Sequence, residues 1–155
     1  MKKTILIICI LVLAAPQIVF SQMADPNSEG SLKMLCEEKD VSISCWKLGD
    51  RYRTLDRDMK KALSYYKKAC EMGLANGCSY AGVLLAQRAA PNSKDFKKAG
   101  VFFEKACDQK HDLACFNLGS LKYKEGRRKK AIKYYDIACE LGHRGACGRA
   151  AKMKK

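Results

Sequence analysis

The arrangement of the cysteines limits the folds open to this chain more than any other feature. Eight of the nine cysteines in the 155 residues lie beyond residue 30 and fall into four local pairs. The members of the first pair are nine residues apart, and those of the other three pairs are eight apart. The second members recur at intervals of 33, 37 and 32 residues. A fixed period in the thirties is typical of stacked helical repeats. The pairs are Cys36/Cys45, Cys70/Cys78, Cys107/Cys115 and Cys139/Cys147.

The residues before the first cysteine follow one pattern in the last three repeats. Lys-Ala is followed by two aromatic residues and then by Ala-Cys and an acidic residue, at 61–71, 98–108 and 130–140. Ala, one aromatic residue and Ala are three or four positions apart, so they share one face of a helix, while charged residues take the other face. Each segment is therefore predicted to form an amphipathic helix, called helix A.

A second helix, helix B, is predicted from each second cysteine onwards, over Cys45–Tyr52, Cys78–Gln87 and Cys115–Tyr123. Each of these helices has a glycine four residues after its cysteine, at Gly49, Gly82 and Gly119. A glycine inside a helix costs about 1 kcal/mol relative to alanine. Its recurrence in register predicts that two helices approach closely there, where a Cβ atom would collide.

The cysteine spacing requires a chain reversal if each local pair is bonded. Residues eight apart on one straight helix lie ~12 Å apart along its axis, whereas a disulfide needs Cα atoms within about 7 Å. Gly73 and Gly142 follow helix A as C-terminal caps do, which places the reversal between the cysteines. Eight cysteines allow about a hundred pairings, and the repeat favours the local one, Cys36–Cys45, Cys70–Cys78, Cys107–Cys115 and Cys139–Cys147.

The first residues have the composition of a secretory signal peptide. Two lysines precede an apolar run over 4–20, and residues 19–21 suit cleavage before Gln22. We expect residues 1–21, with Cys9, to be removed and residues 22–30 to be a flexible leader; an uncleaved membrane anchor is the alternative. The mature chain then has 28 Lys+Arg against 16 Asp+Glu, a net charge of +12.

Lys-Ala, two aromatic residues, Ala-Cys-acid, a short turn, Cys and then Gly together resemble the Sel1-like repeat. Cysteines eight apart are similar to those of its cysteine-rich branch, the Helicobacter cysteine-rich protein type. The resemblance covers about Ser31–Lys152. It implies an all-α fold, an α-solenoid of about four antiparallel helix pairs, each with one of the local disulfides named above. The repeats are expected at about 31–55, 58–90, 95–126 and 128–152, followed by a basic tail at 153–155.

The resemblance implies two functions of different kinds. Sel1-like repeats generally act as scaffolds for protein–protein contacts, whereas some members of the cysteine-rich branch have a weak penicillin-binding or β-lactamase activity. Ser64 and Lys67 form an S-x-x-K motif, but the S-D-N and K-T-G elements of a serine β-lactamase are absent. We therefore assign no catalytic residue. We expect a scaffold that binds protein or peptide through its concave face, with a β-lactamase as the alternative and a structural envelope protein as a third hypothesis.

Few residues are candidates for a binding site. The only histidines, His111 and His143, lack metal-site spacing and are predicted to be turn residues, so no metal or cofactor is expected. One aromatic residue of each helix A pair should fill the core, and the other should border the concave face as a ligand contact. Those outer residues are Tyr65, Phe102 and Tyr134.

The positive charge is densest at 122–130. It suits a solvated surface, an acidic partner or an anionic envelope surface. No nucleic-acid-binding module is present, so the expected partner is a protein or peptide, with acidic ones among the candidates. We expect no stable membrane insertion after signal cleavage, and a secreted or periplasmic location.

Overall fold

The structure is a computed structural model that describes residues 25–87 and 89–155. The expected signal peptide, residues 1–21, lies outside the described residues, as does the start of the leader. The described chain forms eight helices and no strand. The helices are α1 (Glu29–Glu37), α2 (Ser42–Thr54), α3 (Met59–Glu71), α4 (Ala75–Ala86), α5 (Lys94–Asp108), α6 (Asp112–Lys124), α7 (Arg128–Glu140) and α8 (Arg144–Lys154).

The helices alternate between the two predicted kinds, with α1, α3, α5 and α7 as A helices and the others as B helices. A disulfide joins the end of each A helix to the start of the B helix that follows. The Cα–Cα distances are 4.5–4.8 Å. The predicted pairing and the chain reversal between the cysteines are confirmed, and the fold is the expected solenoid of antiparallel helix pairs. The bonds are Cys36–Cys45, Cys70–Cys78, Cys107–Cys115 and Cys139–Cys147.

Local sequence signals determine where the A helices begin and end. The side chains of Ser28, Asp58 and Ser93 accept backbone N–H groups from the first turns of α1, α3 and α5. Gly73 and Gly142 follow α3 and α7 with φ of +84° and +97°, which confirms them as left-handed helix caps. The backbone therefore turns from A to B within a few residues, as the disulfide requires.

Close helix packing depends on the glycines that recur in the B helices. A Cβ at Gly49 would lie 2.8 Å from the Tyr66 ring, and one at Gly119 would lie 2.8 Å from the Tyr135 ring. The corresponding distance from Gly82 to the Phe103 ring is 2.6 Å. These are the second aromatic residues of the A helices, and all three are buried. The predicted close approach is confirmed: each of the first three B helices packs against the core aromatic residue of the next A helix.

The helix boundaries differ from expectation in three places. The B helices begin three residues before the second cysteine, because the chain has already completed its reversal there. α1 begins at Glu29, inside the segment 22–30 expected to be a leader, and the Glu29 carboxylate accepts a hydrogen bond from the Tyr52 hydroxyl at 2.6 Å. α8 continues to Lys154, into the expected tail. Within the described residues, none of the helices has the length and apolar character needed to cross a membrane.

Candidate functional site

The exposed surface of the A helices, called here the A face, bears the aromatic residues that the sequence predicts to border a concave ligand-binding face. Tyr65 lies in the seam between α1 and α3, where its hydroxyl donates to Glu37 at 2.8 Å. Its ring stacks on Tyr52 at a centroid distance of 5.4 Å and an interplanar angle of 9°. Burial and the Glu37 hydrogen bond raise the pKa of Tyr65 above its usual range. Tyr65 therefore joins the first two repeats, and its ring is only half-buried.

The other two predicted ligand-face residues occupy the same register. Burial raises the pKa of Tyr134, and the nearby carboxylates of Glu104 and Asp108 on α5 raise it further. Phe102 packs against the core from α5 and has no hydroxyl to donate. Like Tyr65, both are half-buried. Each first aromatic residue therefore contributes to packing and still presents part of its ring at the surface.

The chemistry of the A face varies along the solenoid at equivalent positions. The residue before the aromatic pair is Ser64 in α3, Val101 in α5 and Lys133 in α7, and all three are exposed. An open groove of about 480 Å³ runs along the exposed side of α3. A face with a constant frame and changing side chains is the arrangement that repeat proteins use to recognise extended partners. The groove is lined by Lys60, Leu63, Ser64, Lys67, Lys68 and Glu71.

The S-x-x-K pair lies in this groove. Ser64 and Lys67 both line it, but no hydrogen bond joins the Ser64 hydroxyl to the Lys67 amine among the bonds of the described residues. A serine nucleophile needs a base within hydrogen-bond reach. In α5 the equivalent residues are Val101 and Glu104, which cannot form such a pair.

The histidines have a structural role that the sequence analysis missed. His111 Nδ1 accepts the backbone N–H of Ala114 at 3.3 Å, and His143 Nδ1 accepts that of Ala146 at 3.2 Å. Each histidine is therefore the N-cap of a B helix. Since Nδ1 accepts, Nε2 of His111 bears the proton and donates to Asn76 at 2.9 Å. Across the described residues, no cluster of His, Cys, Asp or Glu has the geometry to hold a metal ion.

The core aromatic residues have partners matched to their chemistry. The hydroxyl of Tyr66 lies 3.3 Å from Asp50 Oδ1, and that of Tyr135 donates to Ser120 at 3.1 Å. In the repeat between them, where the aromatic residue is a phenylalanine, the equivalent position is the apolar Val83. The glycine that contacts the ring is therefore followed by a polar residue where the next A helix has a tyrosine, and by an apolar residue where it has a phenylalanine. This correlation is present in the sequence alone.

The fold and this face define a class: an α-solenoid of disulfide-bonded helix pairs with one continuous helical face, on which the described residues assemble no catalytic group. Three segments of the chain, 42–74, 93–111 and 112–143, match the Sel1 repeat. The chain belongs to the Sel1 repeat family. The first and third segments each run from a B helix through the following A helix, so they divide the solenoid half a repeat away from the disulfide-linked pairs.

Two proteins from Xenopus are similar to this chain in sequence. Cytochrome c oxidase assembly factor 7A of Xenopus laevis is 33% identical over 143 residues, 83% of this chain and 62% of the relative. Assembly factor 7 of Xenopus tropicalis is 33% identical over 138 residues, 80% of this chain and 59% of the relative. The chain thus spans about 60% of the length of these relatives.

Solved structures share the fold. A Sel1 repeat protein of Oxalobacter formigenes superposes with a TM-score of 0.63 at 24% identity, over 78% of this chain and 95% of that one. Helicobacter pylori cysteine-rich protein B superposes with a TM-score of 0.55 at 27% identity, over 77% of this chain and 95% of that one. The disulfides and the likeness to the cysteine-rich protein indicate an oxidising compartment.

Proposed function

We propose that this protein is a non-catalytic scaffold that binds a protein or peptide on its A face. One observation supports this above all others: exposed positions in one register present a hydroxyl at Ser64, an apolar side chain at Val101 and a cation at Lys133. Such variation on a constant frame can distinguish partners by sequence. Partly exposed rings at Tyr65, Phe102 and Tyr134 would supply the apolar contacts, and acidic partners would suit the neighbouring lysines.

Rigidity supports the same function. Each A helix is bonded to its B helix by a disulfide, and α3, α5 and α7 also pack closely on the preceding B helix through an aromatic ring that contacts a glycine. A face that is already ordered loses little conformational entropy on binding. The name of the Xenopus relatives, assembly factors, is consistent with a scaffold.

A secreted or periplasmic location is part of this proposal. The apolar run after Lys3 and the even number of cysteines beyond residue 30 support export. Four disulfides would not persist in a reducing cytosol.

Photo-crosslinking tests the proposal. A photoreactive amino acid is placed at Val101 on the A face or, as a control, at Tyr123 at the end of α6. The wild-type side chains have similar exposure, 54% and 56%. Cells expressing each variant are irradiated, and discrete protein adducts are sought. We expect an adduct from position 101 that position 123 does not give. No adduct at 101, or the same adducts at both positions, would contradict the proposal.

A second candidate, β-lactam binding or hydrolysis, is supported only by the resemblance and by Ser64 and Lys67 sharing a groove. Turnover of a chromogenic β-lactam by purified protein tests it. If Ser64 is the nucleophile, Ser64→Ala abolishes turnover while Ser120→Ala does not. Turnover that survives Ser64→Ala removes this residue from the mechanism.

A further inference from the structure

The solenoid has two long edges, formed by opposite ends of its helices. The disulfide edge contains the turns from A to B and comprises 33–47, 67–78, 104–115 and 136–147. The joint edge contains the connections from B to the next A and both ends of the described chain, and comprises 25–31, 50–61, 89–98, 122–130 and 149–155. The guanidinium of Arg128 donates to the carbonyl of Met153, which joins the start of α7 to the end of α8 at this edge. A helix of thirteen residues such as α3 rises ~20 Å from one end to the other, and one ion pair, between Lys154 and Asp136 at 2.7 Å, links the two groups of residues.

The two edges differ sharply in charge. The joint edge has eighteen Lys and Arg against seven Asp and Glu, a net charge of +11. The disulfide edge has eight Lys and Arg against nine Asp and Glu, a net charge of −1. The excess positive charge of the chain beyond residue 24 therefore lies along one side of the molecule.

Much of this charge has no anionic partner. Lys-Lys-Ala recurs near the start of α3, α5 and α7. Five of these six lysines are exposed and form no ion pair within 4 Å with any described residue. The sixth, Lys61, contacts Asp58 and lies 5.0 Å from the centre of the Tyr52 ring. The unpaired lysines are Lys60, Lys97, Lys98, Lys129 and Lys130.

The joint edge also exposes apolar side chains between its charges. Leu55 is 66% exposed, Met59 is 46% exposed, and Tyr123 is exposed at the end of α6. Cationic side chains mixed with a few protruding apolar and aromatic ones are typical of surfaces that lie on a membrane interface.

We propose that the joint edge docks on an anionic lipid bilayer without crossing it. Its charge extends over four clusters along the length of the solenoid, which matches a broad surface better than the single groove of a peptide. The neutral opposite edge gives the molecule a charge asymmetry that orients it as it approaches. Leu55, Met59 and Tyr123 would reach the headgroup region, while the lysines contact lipid phosphates. This proposal does not depend on the protein-binding role of the A face.

Vesicle flotation with matched charge variants tests the proposal. The joint-edge variant replaces Lys60, Lys97, Lys98, Lys129 and Lys130 by glutamine. The control variant makes the same change at five exposed lysines near the other edge, so that both variants lose five charges. These control lysines are Lys33, Lys39, Lys47, Lys105 and Lys110. The wild type and both variants are purified after export by the expressing cell. The intact mass of each protein shows whether the apolar segment at 4–20 is retained.

Each protein is mixed with phosphatidylcholine vesicles, with or without phosphatidylglycerol, at low and high salt. A retained apolar segment at 4–20 would bind both vesicle types, so the difference between them isolates the charge. A lysine near an anionic bilayer contributes about five-fold in partition. We therefore expect the wild type to float with phosphatidylglycerol at low salt, the joint-edge variant to lose at least about 100-fold in partition, and the control to change far less.

Three outcomes would overturn the proposal. Equal binding to both vesicle types would exclude recognition of anionic lipid. Equal loss in both variants would show that net charge matters and the edge does not. Retention on immobilised polyglutamate without any vesicle binding would identify the joint edge as a site for an acidic protein.

Discussion

Replacing Gly119 by alanine should change the free energy of unfolding through two effects of opposite sign. In the middle of α6, alanine is favoured over glycine by about 1 kcal/mol through helix propensity. The new Cβ would lie 2.8 Å from Cδ1 and 2.9 Å from Cε1 of Tyr135, well inside van der Waals contact. Tyr135 is 1% exposed and its hydroxyl donates to Ser120 at 3.1 Å, so its ring cannot move freely.

The steric cost at Tyr135 should exceed the gain in helix propensity. Inserting a methyl group into a packed core costs about 1–3 kcal/mol, and losing the Ser120 hydrogen bond costs about 0.5–1.5 kcal/mol more. After the propensity gain of about 1 kcal/mol, we expect Gly119→Ala to lower the free energy of unfolding by about 1–3 kcal/mol. Gly148→Ala in α8 is the matched control, because a Cβ there meets nothing within 4 Å. It should raise the free energy of unfolding by up to about 1 kcal/mol.

Urea unfolding of the disulfide-intact proteins, followed by far-UV circular dichroism, measures both changes. A second variant that adds Tyr135→Leu to Gly119→Ala should show favourable coupling, because the smaller side chain makes room for the methyl group. The reasoning is refuted if Gly119→Ala is as stable as the wild type while Gly148→Ala behaves as expected. It is also refuted if the two substitutions are simply additive.

Four further predictions address other parts of the structure. His111→Ala should cost about 1 kcal/mol in thermal unfolding, whereas His111→Asn keeps a capping acceptor and should cost less. Phe103→Tyr should destabilise by about 1 kcal/mol, because apolar Val83 occupies the position at which Asp50 and Ser120 accept the tyrosine hydroxyls of the other repeats. Burial raises the pKa of Tyr66 to about 12 from 10.0. The contribution of the neutral Tyr66 hydroxyl to stability should therefore be fully present below pH 10 and be lost as the pH rises towards 12. The urea midpoint of Tyr66→Phe should fall less over this range than that of the wild type. Intact mass should show four disulfides and a start at Gln22; eight alkylated thiols would contradict this.

The fold was predictable because its determinants recur and act locally. A cysteine pair eight residues apart allows few geometries once both residues are helical, and the glycines indicate where the helices turn and touch. The register of Gly49, Gly82 and Gly119 predicted a close approach before its partner was known. The structure adds the identity of that partner, the second aromatic residue of the next A helix.

Other features need the three-dimensional arrangement. The capping role of His111 depends on the imidazole reaching the Ala114 N–H, which spacing alone does not indicate. The hydroxyl of Tyr65 meets Glu37 across 28 residues, in a seam between two repeats. Along the chain only 122–130 stands out as basic, because the other charges of the joint edge are divided among separate segments. Stacking the repeats brings those segments to one side.

The disulfides stabilise the shape on which both candidate surfaces, the A face and the joint edge, depend. Many buried positions are alanines, which let helices approach closely but bury little apolar area. In the loop-entropy description, a bridge closing eight residues contributes about 2.5 kcal/mol, so four of them approach the stability of an ordinary domain. The shape then does not depend on a bound partner. The A face runs parallel to the helix axes, whereas the joint edge is formed by helix ends. A molecule docked on a bilayer by that edge would therefore hold its helices upright, with the A face open to a protein at the side.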